Sequence, residues 1–304
     1  MKKQFFTPVI LFVVLLFVFI SGIMVAGSAA RCYYPAGIWE GASDFIPPMD
    51  STRGCSHFRL GGWGGSAADH TPRINNQPID HVYIFIHGIA RTASDWNEYR
   101  VFFKKQGYND AALWALSYLG NGTTQDVFST YPSNEENDLI NFILAVKKYT
   151  GVSKFRLIGH SMGGTLIKSL FYNNMPAGIT VEKAVLIATP NGSTTRGYPF
   201  GSIAICQSAK HRVLPFCSQY FGDSPAAQEY RNKRKWVNCK GGVLVLYDGT
   251  TADAVFKDQY GDVRFAARDN VANRYGLVKY SHHPGQNHDR LRVMNISEVF
   301  RFIK

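Results

Sequence analysis

The pentapeptide Gly159-His160-Ser161-Met162-Gly163 has the G-x-S-x-G spacing of a nucleophile elbow. In such an elbow a strand turns sharply into a helix and leaves the serine hydroxyl exposed at the bend. Glycine on both flanks lets strand and helix approach closely. Here an apolar run, residues 155–158, leads straight into the pentapeptide, and a helical pattern over 163–173 leaves it. That context carries more weight than the five residues alone. Ser161 is the candidate nucleophile.

A serine hydroxyl is a poor nucleophile at neutral pH. It needs a base, and the base needs an orienting acid. In the chain order Ser, Asp, His, both lie downstream. The histidines past Ser161 are His211, His282, His283 and His288. His288 sits in the loop 284–288 between the last strand pattern and the final helix pattern, where a base can swing over the elbow. His282 and His283 are close enough in sequence to compete with it. For the acid, the apolar run 243–247 reads as a strand that delivers a carboxylate at its C-terminal end. Asp248 and Asp253 both qualify by location. The run 249–255 favours Asp253, and Asp248 suits a cap of the turn at Asp248-Gly249.

The oxyanion formed by attack on a carbonyl needs preorganised donors. The backbone N–H of Met162, next to the nucleophile, is one. The second falls in the loop after the first central strand, at His87-Gly88-Ile89, where Gly88 permits the turn and Ile89 supplies the N–H. His87 precedes the serine at a strand end and reads as a structural hydrogen bonder of that loop.

These residues require a scaffold. Apolar runs at 82–86, 112–118, 155–158, 184–188, 243–247 and 277–280 read as strands. Between them, helical spacing appears at 96–106, 135–149 and 163–173, and again at 296–303. Alternating strands and helices imply a mainly parallel sheet covered on both faces. The pattern runs from residue 81 to 304 without a linker-like break, as one catalytic domain with an insertion at about 191–240. Residues 31–80 are rich in Gly, Pro, Ser and Asp and read as an irregular extension on its surface.

The 304 residues are 45% hydrophobic and 18% charged, enough apolar content for a sizeable core and against a disordered chain. Lys2-Lys3, the apolar run 9–20 and the small residues 27–30 form the three regions of a secretory signal, with an uncleaved anchor as the alternative. Export makes disulfides the expected use of Cys32, Cys55, Cys206, Cys217 and Cys239; the spacings favour Cys32–Cys55 and Cys206–Cys217, with Cys239 left over. No zinc-type spacing is present. The net charge of +11 is spread along the chain, so it reads as solvated surface rather than a nucleic-acid face. Nothing in the sequence sets an oligomeric state.

Four motifs together resemble the class 2 lipase family of bacterial α/β-hydrolases: His87-Gly88-Ile89, Gly159-His160-Ser161-Met162-Gly163-Gly164, Thr251-Ala252-Asp253 and Gly285-x-x-His288-x-x-Leu291. They stand in the family's order across residues 80–304. The resemblance implies an α/β-hydrolase core and hydrolysis of acyl esters, lipid or otherwise water-insoluble, with neither cofactor nor metal. It also implies the roles of Ser161, Asp253, His288, Ile89 and Met162 given above. Contact with a membrane or lipid interface is expected separately, from the apolar residues of the 191–240 insertion and the basic run Arg231 to Lys235 beside them. The glycine-aromatic stretch 61–65 and Gly107-Tyr108-Asn109-Asp110 are similar to secreted polyhydroxyalkanoate depolymerases. A polyester substrate is therefore the alternative, and a non-catalytic surface binding protein a more distant one.

Overall fold

The structure is a computed structural model and describes residues 38–49, 59–89, 91–118, 133–173, 175–189, 239, 241–248 and 278–304. The signal segment, Cys32, Cys55, Cys206, Cys217, Asp253 and nearly all of the 191–240 insertion lie outside these residues. An eight-stranded sheet forms the centre, in the order β1 (Trp39–Gly41), β2 (Gly61–Gly64), β6 (Leu113–Ser117), β5 (His81–Ile86), β7 (Lys154–His160), β8 (Thr180–Ile187), β9 (Val243–Tyr247), β10 (Val278–His282). Within this sheet the β2–β6 pair is antiparallel and the other described pairs are parallel. A two-residue-per-strand hairpin, β3 (Arg73–Ile74) with β4 (Gln77–Pro78), stands beside it.

Among the described residues five α-helices pack on the sheet: α1 (Asn97–Lys105), α2 (Ser133–Thr150), α3 (Met162–Asn173), α4 (His288–Met294) and α5 (Ile296–Ile303). Strand β5 shows why the sheet is covered on both sides. Val82, Ile84 and Ile86 point into one core with Phe142 and Ile143 of α2 and Leu166 and Leu170 of α3. Tyr83 and Phe85 point into the other, with Tyr99 and Phe103 of α1 and Val299 and Phe300 of α5. A strand buried on both faces reads as a continuous apolar run, which is how it stands in the sequence.

The described stretches of the segment 31–80 are more regular than its composition suggested. Two of its stretches are strands of the main sheet, and all four residues of β2 are buried. The expectation failed because glycines replace the β-branched residues that mark a strand. They are there for close approach: Gly62 has φ +143°, and a Cβ on it would lie 2.1 Å from the Ala115 carbonyl oxygen. Trp63, between the glycines, fills the core and donates its Nε1–H to the Ala93 carbonyl at 2.9 Å. The sheet therefore takes in chain from Trp39 onward.

Gly62→Ala should lower unfolding free energy by at least ~2 kcal/mol, since strain and backbone collision add. Gly151→Ala, at φ +75° but with nothing within 4 Å of the added Cβ, should cost only about 1 kcal/mol. Urea unfolding of the two variants checks the order.

Candidate active site

Parallel register places the candidate residues along one edge. Ile86 pairs with Gly159, His160 with Ile187, Ile187 with Leu246, and Tyr247 with His282. The segments leaving these strands therefore emerge on the same side: His87-Gly88-Ile89 after β5, Ser161 after β7, Asp248 after β9, and the loop to His288 after β10. Ligands of open α/β sheets bind in the crevice at these carboxyl ends.

Ser161 sits between β7 and α3 with φ 53°, a left-handed backbone that a residue with a Cβ rarely adopts. Its N–H donates to the Ile187 carbonyl at 2.9 Å, and its carbonyl accepts from Gly164 N–H at 3.0 Å. Close packing explains the flanking glycines. A Cβ at Gly163 would lie 2.2 Å from the Ile86 carbonyl oxygen, and one at Gly159 would lie 2.6 Å from the Gly163 carbonyl carbon. Helix α3 is thus pressed against the ends of β5 and β7. Met162, whose N–H is a candidate oxyanion donor, is buried as its first residue.

Across the turn, an added Cβ at Gly88 would be 3.1 Å from Ser161 Cβ, so the loop carrying Ile89 lies directly against the serine. Ile89 itself is half-buried against the core. His87 holds this loop, as expected. Its Nδ1–H donates to the Gly88 carbonyl at 2.6 Å, its ring stacks on Tyr118 at 4.0 Å, and Tyr118 Oη donates to the His87 carbonyl at 2.6 Å.

His288 does not lie in a loop; it is the first residue of α4, a seven-residue helix. Asn287 caps that helix, its side-chain oxygen accepting from Arg290 N–H at 2.9 Å. The cap signal is present in the sequence, but the helix is short and comes soon after Pro284-Gly285. The competing histidines are placed elsewhere. His283 Nε2 lies 3.0 Å from Glu298 Oε2 of α5, and His282 is exposed with its ring stacked on Tyr247. Asp248 makes a longer-range contact as well. It is buried and its Oδ1 accepts from Gly285 N–H at 2.6 Å, tying the end of β9 to the approach to His288.

Helix α4 is also fastened to the segment after Ile89. Arg91 pairs with Asp289 at 2.9 Å, the Arg292 guanidinium donates to the Asp95 carbonyl, and Tyr99 Oη donates to the Arg292 carbonyl at 2.9 Å. Among the described residues no group of three His, Cys, Asp or Glu side chains could hold a metal ion. Cys239 is a free, buried thiol; burial pushes it up to about 12, and its Sγ lies 3.2 Å from the Gly242 carbonyl. Such a thiol is inert, a small core residue.

A mainly parallel eight-stranded sheet whose first two strands run opposite to the other six, with a serine on a left-handed turn at a central strand's carboxyl end, has the architecture of an α/β-hydrolase fold. Within that class, residues 76–222, which contain the elbow, match the family model of the class 2 lipases. The bifunctional esterase/perhydrolase DCH of Acinetobacter calcoaceticus is 27% identical over 189 residues, 56% of this chain and 65% of that protein. The chain thus spans 65% of the length of this curated relative. Among solved structures, the chain is similar to the lin2722 gene product of Listeria innocua (14% identity, 74% of this chain and 94% of that one, TM-score 0.47). It is also similar to carboxylesterase CesB of Bacillus subtilis (12% identity, 81% and 92%, TM-score 0.45).

Burial pushes His87 down from 6.5 to about 4, and it holds His160 well below 6.5 as well. An unfolded imidazole takes up its proton near pH 6.5, whereas these folded ones refuse it. Stability is therefore full above pH 6.5 and falls as pH drops toward 4, by about 1.4 kcal/mol per unit for each histidine. Urea unfolding between pH 7.5 and 4.5 should show that slope. His87→Gln should be less stable at pH 7.5 yet show a shallower slope.

Proposed function

We propose that the protein is an exported serine carboxylic-ester hydrolase of the lipase and esterase type, working through an acyl-enzyme on Ser161. The observation that carries this is the left-handed Ser161 at the tip of β7, pressed between the Gly88 loop and α3, inside a class 2 lipase segment. Strained backbone of this kind clusters at functional sites, where the surrounding structure holds it in place.

In this reading Ser161 Oγ attacks the ester carbonyl carbon while His288 takes the hydroxyl proton. The carbonyl oxygen, now negative, accepts from the N–H groups of Ile89 and Met162. Collapse breaks the ester C–O bond, and His288 returns the proton to the departing alcohol. Water then attacks the acyl-serine by the same route and releases the acid. Asp253 orients His288. Asp248, with one oxygen on Gly285 N–H, serves to hold the loop before the base. The segment Lys2 to Ala30 supports export, and the apolar residues of the 191–240 insertion support an ester presented in a lipid or other insoluble phase.

Purified protein assayed on p-nitrophenyl esters of increasing chain length tests the chemistry. Ser161→Ala should lower turnover at least ~10⁴-fold in folded protein. Asp253→Asn should cost on the order of 10³–10⁴-fold. Asp248→Asn should lower melting temperature with a much smaller effect on turnover. If Asp248→Asn abolishes turnover and Asp253→Asn does not, Asp248 is the acid.

A further inference from the structure

His160, the residue before the nucleophile, is enclosed by protein, and its Nε2 lies 2.9 Å from the backbone carbonyl oxygen of His288. A carbonyl only accepts, so Nε2 carries the proton and Nδ1 is left as a bare lone pair. That Nδ1 meets no hydrogen-bond partner among the described residues. It faces Gly88, where an added Cβ would lie 3.3 Å away. Burial first, then the charges of His288, Arg292 and Arg91, keep the His160 ring neutral. A neutral, tautomerically fixed imidazole is a permanent donor at one atom.

This donor joins two points 128 residues apart in sequence. One is adjacent to Ser161; the other is the main chain of the residue read as its base. The two rings also touch, with centroids 4.7 Å apart and planes at 50°. Ties described for α4 and its approach run sideways, from Asp289 and Arg292 to the segment 91–99 and from Gly285 to β9. The His160 bond runs to the elbow itself, and therefore sets the depth and angle at which α4 presents its first side chain.

We propose that His160 is a positioning residue for the base: its Nε2–H, donated to the His288 carbonyl, fixes the His288 ring over Ser161 Oγ. The proposal rests on the reading of His288 as the base. Proton transfer between side chains is sensitive to placement, and a displacement of about 1 Å can cost ~10²-fold.

His160→Phe keeps a buried ring and removes the donor; His160→Gln returns an N–H near the place of Nε2. With a soluble p-nitrophenyl ester and rates normalised to folded protein, His160→Phe should lower kcat by ~10- to 100-fold with KM changed less than about twofold. His160→Gln should recover most of it. In a His288→Ala background, His160→Phe should add almost nothing, because the part it positions is gone. Undiminished kcat in His160→Phe, or an equal further loss in the His288→Ala background, would overturn the proposal while leaving His288→Ala inactive and the base reading intact. Full turnover in His288→Ala alone would overturn both. Should His160→Phe not fold, nitrogen NMR of histidine-labelled wild-type protein decides. An Nε2–H tautomer coupled through the hydrogen bond to the His288 carbonyl supports the proposal, and an Nδ1–H tautomer defeats it.

Discussion

The left-handed backbone at Ser161 is the constraint on which the rest of the site depends. A non-glycine residue in that conformation costs on the order of 1–2 kcal/mol, and it persists only where its surroundings leave no alternative. Here they leave none. Helix α3 is pressed so closely on β5 that Gly163 has no room for a Cβ, and the serine N–H is held by the neighbouring strand at Ile187. Ala188, the next residue of that neighbouring strand, is left-handed as well, at φ 45°. Its N–H donates to the Leu246 carbonyl, and His283 N–H donates to the Tyr247 carbonyl. Hydrogen bonding thus continues one step past the ends of β7, β8 and β10, linking the serine's turn laterally to the chain that leads to His288.

That lateral row makes the site a property of the sheet rather than of its loops. Sheet register is firmly specified when both faces are buried, because a one-residue slip would send each strand's side chains to the opposite core. Tyr83 and Phe85 cannot exchange with Val82 and Ile84 without disturbing aromatic packing on α1 and α5. The geometry of the candidate site inherits this rigidity. The helix bearing His288 is then pinned from three sides, by Asp248 at β9, by the 91–99 segment and by His160 at the elbow.

The central strands were legible in the sequence because burial on both faces writes itself as unbroken apolar runs; Val243–Tyr247 and the helix Ile296–Ile303 stand where their patterns place them. The elbow was legible because strand, glycine spacing and helix occur together. β1 and β2 were not, since the signal for a strand is side-chain shape and β2 is built of glycines that let main chains meet. Helix α4 was hidden by its length, at seven residues too short for a periodic pattern to emerge. The role of Asp248 was hidden for a different reason. One of its partners is a backbone N–H 37 residues away, and a main-chain donor leaves no mark in composition or spacing.

Three histidines stand close to the elbow at this carboxyl edge, and physical chemistry separates their work. A general base must lose and regain a proton near the working pH. His87 is pushed to about 4 by burial and commits its Nδ1–H to the Gly88 carbonyl. His160 is held lower than its ordinary range by burial and neighbouring positive charge, and commits its Nε2–H to the His288 carbonyl. Both are locked as neutral donors, one holding the loop that carries Ile89, the other reaching the main chain of His288. His288 alone of these three is partly open to solvent, and its side chain stands after a helix cap rather than on a core strand. Burial therefore assigns two imidazoles to architecture, and the third is the one proposed above as the base.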